Sequence, residues 1–118
     1  MLTDKCKEDF EKWYDSNEAN ESANSTLLSE FNYLPLSMRY GVYVDFFDSV
    51  GIIIQMDYGE ERFDDSGEHF FESAINDTNN KNVGRRTGKY WASGVVTHRS
   101  EARIKSITQA NEIYNVTK

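Results

Sequence analysis

Four groups of side chains in this 118-residue chain have the types and spacing to do chemistry. Asp45 and Asp48 stand three residues apart, so one turn of helix would bring both carboxylates to one side, the arrangement of a general acid–base pair. Cys6, His69 and His98 are metal-ligand types, but they come from three distant segments, without the close Cys or His pairs that build a site, and no metal is expected. Glu60, Glu61, Asp64, Asp65, Glu68 and Glu72 gather six carboxylates around Phe63. Such a run is either a solvated loop or a contact surface that imitates phosphates for a basic partner. Arg85, Arg86 and Lys89, with Arg99 and Arg103 further on, are the reverse: cations suited to phosphate or to solubilising a loop tip. Tyr90 and Trp91 beside them have rings that stack on bases or fill a core. Neither a Gly-rich phosphate loop, a paired-Cys metal site nor a nucleophile elbow is present. Asp45 and Asp48 read first as the wet edge of a buried helix. No catalytic residue is assigned, no cofactor is expected, and the chain is not read as an enzyme.

The element that must position these groups is the stretch from Tyr40 to Ile52. Gly41, Asp45, Asp48 and Ser49 fall at spacings of four, three and one, a single polar stripe at helical period among Val, Tyr and Phe. A strand would instead leave Asp45 between Tyr43 and Phe47 on an apolar face. The spacing therefore predicts a helix buried on several sides, capped by Ser37 after Pro35 and stopped by Gly51 as a left-handed residue. Before it, Thr3 is the expected cap of a first helix whose Cys6, Phe10, Trp13 and Tyr14 share a face. The segment 15–25 is polar without period and reads as a loop, and Leu27, Leu28 and Phe31 are expected to cluster on a short helical turn.

After Gly51 the pattern becomes that of strands: 52–58, 69–75 and 89–96, separated by an acidic loop at 59–67 and an Asn- and Gly-rich loop at 76–88. Ser100 is the expected cap of a last helix carrying Ala102, Ile104, Ile107, Ala110, Ile113 and Tyr114 at helical spacing. Consecutive strands joined by such loops make an antiparallel meander, and two long helices can cover one of its faces. The predicted fold is α+β: a three-stranded antiparallel meander with helices packed on one face, in the order α-α-β-β-β-α. It is read as a single domain, 1–118, in which 1–36 form an N-terminal helix and loop and 37–118 the core.

Bulk properties set the surroundings. The net charge is −7, unevenly spread. Residues 1–80 hold 18 acids against 5 Lys/Arg, a balance of −13, while 81–118 hold 2 acids against 8 Lys/Arg, a balance of +6. The asymmetry suits a charged partner, or else mutual neutralisation across the fold. No apolar run approaches the ~18–20 residues that span a bilayer, and the start of the sequence lacks the apolar core of a signal peptide. With a single cysteine the expectation is a cytoplasmic protein without disulfides or membrane contact.

Two resemblances follow from these residues. The helix, three strands, helix order of 38–115 resembles the double-stranded-RNA-binding domain, most closely at Gly94-Val-Val-Thr-His-Arg-Ser-Glu-Ala-Arg103, which is similar to that family's exit from the third strand. The resemblance implies phosphate binding by Arg99 and Arg103, with Ser100 standing where a third cation would be, and entry of the loop at Gly67-Glu68-His69 into a minor groove. The acids of that loop repel a phosphate backbone. Tyr40–Gly51 and the last helix, Ser100-Glu-Ala-Arg through Ala-Asn-Glu-Ile-Tyr-Asn115, are similar to small accessory proteins of phage and prophage genomes. That similarity implies a phage accessory gene acting in the host cytoplasm. The functional expectation is an acidic inhibitor that binds a host protein or ribonucleoprotein complex handling nucleic acid or defence, an anti-CRISPR or other anti-defence role, through Glu60, Glu61, Phe63, Asp64, Asp65, Glu68 and Glu72. The alternative is a duplex-RNA-binding module using Arg85, Arg86, Lys89, Arg99 and Arg103.

Overall fold

A computed structural model describes residues 1–16, 27–60, 69–79, 89–96 and 98–118; for 57–60, 69–70, 72 and 89–96 it describes the backbone. The elements in chain order are α1 (Asp4–Tyr14), α2 (Leu28–Phe31), α3 (Leu36–Ser49), β1 (Ile52–Glu60), β2 (His69–Asp77), an extended segment β3 (Lys89–Val96), and α4 (Arg99–Thr117). The class is α+β, with helices packed against antiparallel strands. β1 and β2 pair without interruption from Ile52↔Asp77 to Glu60↔His69. No helix of the described residues is long and apolar enough to cross a membrane.

The central helix follows its polar stripe. Gly41, Asp45, Asp48 and Ser49 are exposed, while Val42, Tyr43, Phe46 and Phe47 are buried. Its start differs from expectation: Pro35 is the N-cap and Leu36 the first helical residue, which places Ser37 inside the first turn, where its side chain caps nothing. The fixed φ of proline together with an extended ψ of 148° launches the helix two residues earlier than a cap at Ser37 would. At the other end Gly51 has φ +83°, the left-handed residue that stops α3 and turns the chain into β1.

α3 is covered on every side but its stripe. β1 and α4 pack against it. The Phe10 ring of α1 lies 5.2 Å from Tyr43 and 5.4 Å from Phe46, centroid to centroid. Phe31 of α2 meets Tyr43 edge-on at 5.5 Å, and Tyr114 of α4 lies 5.8 Å from Phe46. Each such aromatic pair adds about 0.5–1.5 kcal/mol beyond its burial. On the sheet side, Ile52, Ile54 and Ile75 are buried, and the register sets Ile54 opposite Ile75, so one face of the β1–β2 pair meets the helices.

The first and last helices are tied at α1's N-terminus. Thr3 is the N-cap as expected, but its hydroxyl makes no cap bond. It accepts instead from Asn111 Nδ2 at 3.0 Å and Asn115 Nδ2 at 3.2 Å. The helix amides are capped from α4: Asn111 Oδ1 accepts from Thr3 N at 2.9 Å and Asn115 Oδ1 from Cys6 N at 2.8 Å. Cys6, Phe10 and Tyr14 are buried and Trp13 is partly so, which agrees with the expected face.

Three positions correct the sequence reading. Ile104 is 47% exposed and Leu27 65% exposed. Ile104 sits on the solvent side of α4, and Leu27 lies one residue before α2, which is only one turn long. α4 begins at Arg99 after His98, so Ser100 is inside the helix and not its cap.

Candidate functional site: the hairpin end and the start of the last helix

β1 and β2 run together for nine paired positions, about 27 Å from end to end at strand rise. The end at Ile52↔Asp77 is anchored. Asp77 is 2% exposed, and its Oδ1 accepts from Asn79 N at 3.1 Å and Asn79 Nδ2 at 3.3 Å. Thr78 Oγ1 and Asn79 Nδ2 donate to the carbonyls of Gly51 and Val50. The β2 exit is therefore bolted to the α3–β1 corner. Sequence reasoning placed Asp77 in a loop and passed over it, because a short polar turn gives no hint that its carboxylate is buried.

The opposite end, at Glu60↔His69, is where the acidic segment leaves the sheet. Glu60 and His69 are placed by backbone, as is Glu72 within β2. Glu61, Phe63, Asp64, Asp65 and Glu68 lie outside the described residues, as do Arg85 and Arg86; Lys89 is placed by backbone at the start of β3.

Of the expected basic residues, Arg99 and Arg103 are described in full. They stand one turn apart at the start of α4, each with its guanidinium over a ring. Arg99 Cζ lies 5.1 Å from the centre of Phe71, and Arg103 Cζ lies 5.6 Å from the centre of Tyr40. At such distances the cation is drawn to the face of the ring. Phe71 pairs with Tyr58, two positions in from Glu60↔His69. The start of α4 therefore lies beside β2 near the Glu60↔His69 end of the hairpin.

The other candidates are kept apart. Asp45 and Asp48 are exposed on α3, towards its C-terminus and so near the anchored end of β1. Partial burial and then the neighbouring Asp45 push the Asp48 carboxyl upward. Cys6 is fully buried in the helical core. Burial first, and Asp9 second, push its thiol up to about 12, so it stays protonated near neutrality. His98 is exposed at the N-cap of α4. Among the described residues no group of three or more His, Cys, Asp or Glu is placed to hold a metal ion.

Asp9 and Tyr114 join α1 to α4 by a short hydrogen bond, the tyrosine donating at 2.5 Å, with Lys5 at 3.3 Å from the same carboxylate oxygen. The Tyr114 bond, chiefly, and Lys5 hold the Asp9 carboxyl below its usual range against the opposing effect of desolvation. Compared with protein-family models, curated proteins and solved structures, the chain matches none of them.

Proposed function

We propose that this chain is a non-catalytic binding protein of the phage accessory type, which occupies a basic, nucleic-acid-gripping groove of a host complex and so blocks it. The observation that carries this reading is the delivery of the acidic segment. A nine-pair hairpin, bolted to the core at Ile52↔Asp77, runs out to Glu60↔His69 and there hands the chain to Glu61, Asp64, Asp65 and Glu68. A stiff support fixes where the charge leaves the fold, while the charge itself steers a basic partner and raises the association rate. In this reading the sheet is a three-stranded meander with helices on one face. β3 lies along β2 from Asp77↔Lys89 to Phe71↔Val96, with a register shift between Glu72 and Ala74. The protein works in the host cytoplasm, and CRISPR-type effector complexes are the class of target that offers such a groove.

Replacing Glu60, Glu61, Asp64 and Asp65 together by lysine tests it. The variant keeps the parent's circular dichroism, because charges at and beyond a hairpin's end contribute little to a core, and loses capture of a basic nucleic-acid-binding complex in a pull-down whose yield in the parent falls with salt. A folded variant that captures the complex as well as the parent does would reject the mechanism.

The stacked Arg99 and Arg103 favour one competing reading, a duplex-RNA-binding module. On the acidic reading, duplex RNA binds no tighter than the non-specific range of about 10⁻⁴–10⁻⁶ M. A nanomolar gel shift at physiological salt, lost in an Arg99→Glu, Arg103→Glu variant, would replace the first reading with the second.

A further inference from the structure

A second surface of different character lies among the helices. A cleft of about 190 Å³ opens between the first residues, α1, α2 and α3, and among the described residues none of the sheet or of α4 lines it. Its apolar wall is Leu2, Phe10, Leu28 and Tyr43. Lys7 and Arg39 also line it, and among the described residues Glu11 is the one acid of the lining, so that described lining is net positive in a chain of net charge −7. Arg39 is held in place: its Nε donates to the Leu34 carbonyl at 2.9 Å and its Nη1 to the Tyr43 hydroxyl oxygen at 3.4 Å. Those bonds leave further N–H groups of the guanidinium for a ligand. Among the described residues the ion pairs are Lys5–Asp9 and Lys105–Glu101, so neither Lys7 nor Arg39 is paired with a carboxylate there.

The rim supplies an independent observation. Six large apolar side chains are exposed among the described residues, and four of them belong to the segments that build this cleft. Met1, 44% exposed, lines it, and Leu27 (65%), Tyr33 (90%) and Met38 (59%) are the chain neighbours of its lining residues Leu28, Asn32 and Arg39. Apolar side chains left exposed on the segments that line a cleft, beside an arginine, are the composition of a protein contact. The volume argues the same way. It falls below the roughly 300–1,000 Å³ of pockets for drug-sized ligands and suits a single side chain inserted from a partner.

We propose that this cleft docks an acidic segment of a protein partner. One apolar side chain enters against Leu2, Phe10, Leu28 and Tyr43, and an adjacent carboxylate is received by Arg39 and Lys7. The sign of the charge selects the segment, and the apolar rim gives the contact its area. This surface is separate from the acidic hairpin end and would hold a different part of a complex, or a different protein.

The test uses the full chain labelled with ¹⁵N and two capped peptides, Gly-Gly-Phe-Glu-Gly-Gly and Gly-Gly-Phe-Lys-Gly-Gly. The Phe-Glu peptide shifts the amide signals of Lys7, Leu28 and Arg39. The Phe-Lys peptide binds at least about tenfold more weakly, the loss expected when a charged hydrogen bond is withdrawn. Lys7→Glu, at an exposed position, weakens the Phe-Glu peptide by a similar factor and leaves signals of the sheet unmoved. Arg39→Gln does the same, and Lys7→Glu carries the test if that variant does not fold. No shifts at millimolar peptide, equal shifts from both peptides, or unaltered binding to Lys7→Glu would each overturn the proposal. Sedimentation supplies a further check: a parent that self-associates, and becomes monomeric on Lys7→Glu, would assign the cleft to a second copy of the chain and also overturn it.

Discussion

Replacing Gly51 by alanine is the most direct probe of the corner from which the hairpin springs. Gly51 has φ +83°, where an L-residue costs about 1–2 kcal/mol. A Cβ there would lie 2.6 Å from Asn79 Nδ2 and 2.8 Å from Thr78 Oγ1. Both atoms belong to exposed, flexible side chains, so they swing aside and the backbone need not move. What is lost is their bonding: Asn79 Nδ2 donates to the Val50 carbonyl at 2.7 Å and Thr78 Oγ1 to the Gly51 carbonyl at 2.8 Å. At an exposed site each such bond contributes about 0.5 kcal/mol. Alanine recovers about 0.4–1 kcal/mol by restricting the unfolded chain. The net loss is about 1–2.5 kcal/mol, a sizeable share of the stability of a small domain. Urea unfolding followed by far-ultraviolet circular dichroism reads it as a lower midpoint with an unchanged slope. Gly51→Asn, which tolerates a left-handed backbone better, should lose less than Gly51→Ala. A Gly51→Ala protein that melts with the parent would refute the argument, because neither the positive φ nor the two side-chain bonds would then carry the corner.

Phe47, fully buried on α3, leaves a cavity on truncation to alanine, and a loss of about 3–5 kcal/mol is expected in the same melts; a loss below about 1 kcal/mol would contradict its place in the core. Asp9 titrates below its usual range when folded, so its contribution is present above the ordinary carboxylate pKa and disappears as pH falls through the lowered value; Asp9→Asn should flatten the acid limb of stability against pH. The Cys6 thiol is raised from 9.0 to about 12, so its neutral burial favours the fold below pH 9 and is lost as pH climbs towards 12; Cys6→Ala should lose stability less steeply there. Folded protein should also leave a thiol reagent unreacted at pH 8 until denaturant is added, and prompt labelling of the native chain would count against a buried Cys6.

The central helix was legible because its polar residues are few and periodic: Gly41, Asp45, Asp48 and Ser49 all reach water. Gly51 was legible as the left-handed stop for the same local reason. The first helix's face, Cys6, Phe10 and Tyr14, also follows from spacing alone. What escaped depends on distant partners. Asn111 is polar and lies on a helix, yet it is 5% exposed because Thr3 supplies its hydrogen bonds from the other end of the chain. Ser37 and Ser100 looked like caps because serine is a good one, but Pro35 and His98 sit where the chain bends. Ile104 keeps the helical spacing of its neighbours and still faces solvent, since period alone does not say how wide the buried stripe is. At the candidate site, the residue types were legible, whereas the stacking of Arg99 on Phe71 and Arg103 on Tyr40 joins segments that no local pattern connects.

The knot of Thr3, Asn111 and Asn115 has a consequence in time. Thr3 and Asn111 stand 108 positions apart, so during synthesis the first helix emerges long before the side chains that cap it. At ~5–20 residues per second the ribosome needs about 5–20 s to reach them. Throughout that interval the face of Phe10 and Tyr14 has neither Tyr114 nor the asparagines to settle against. A segment made early is thus secured late, by partners 108 positions further on.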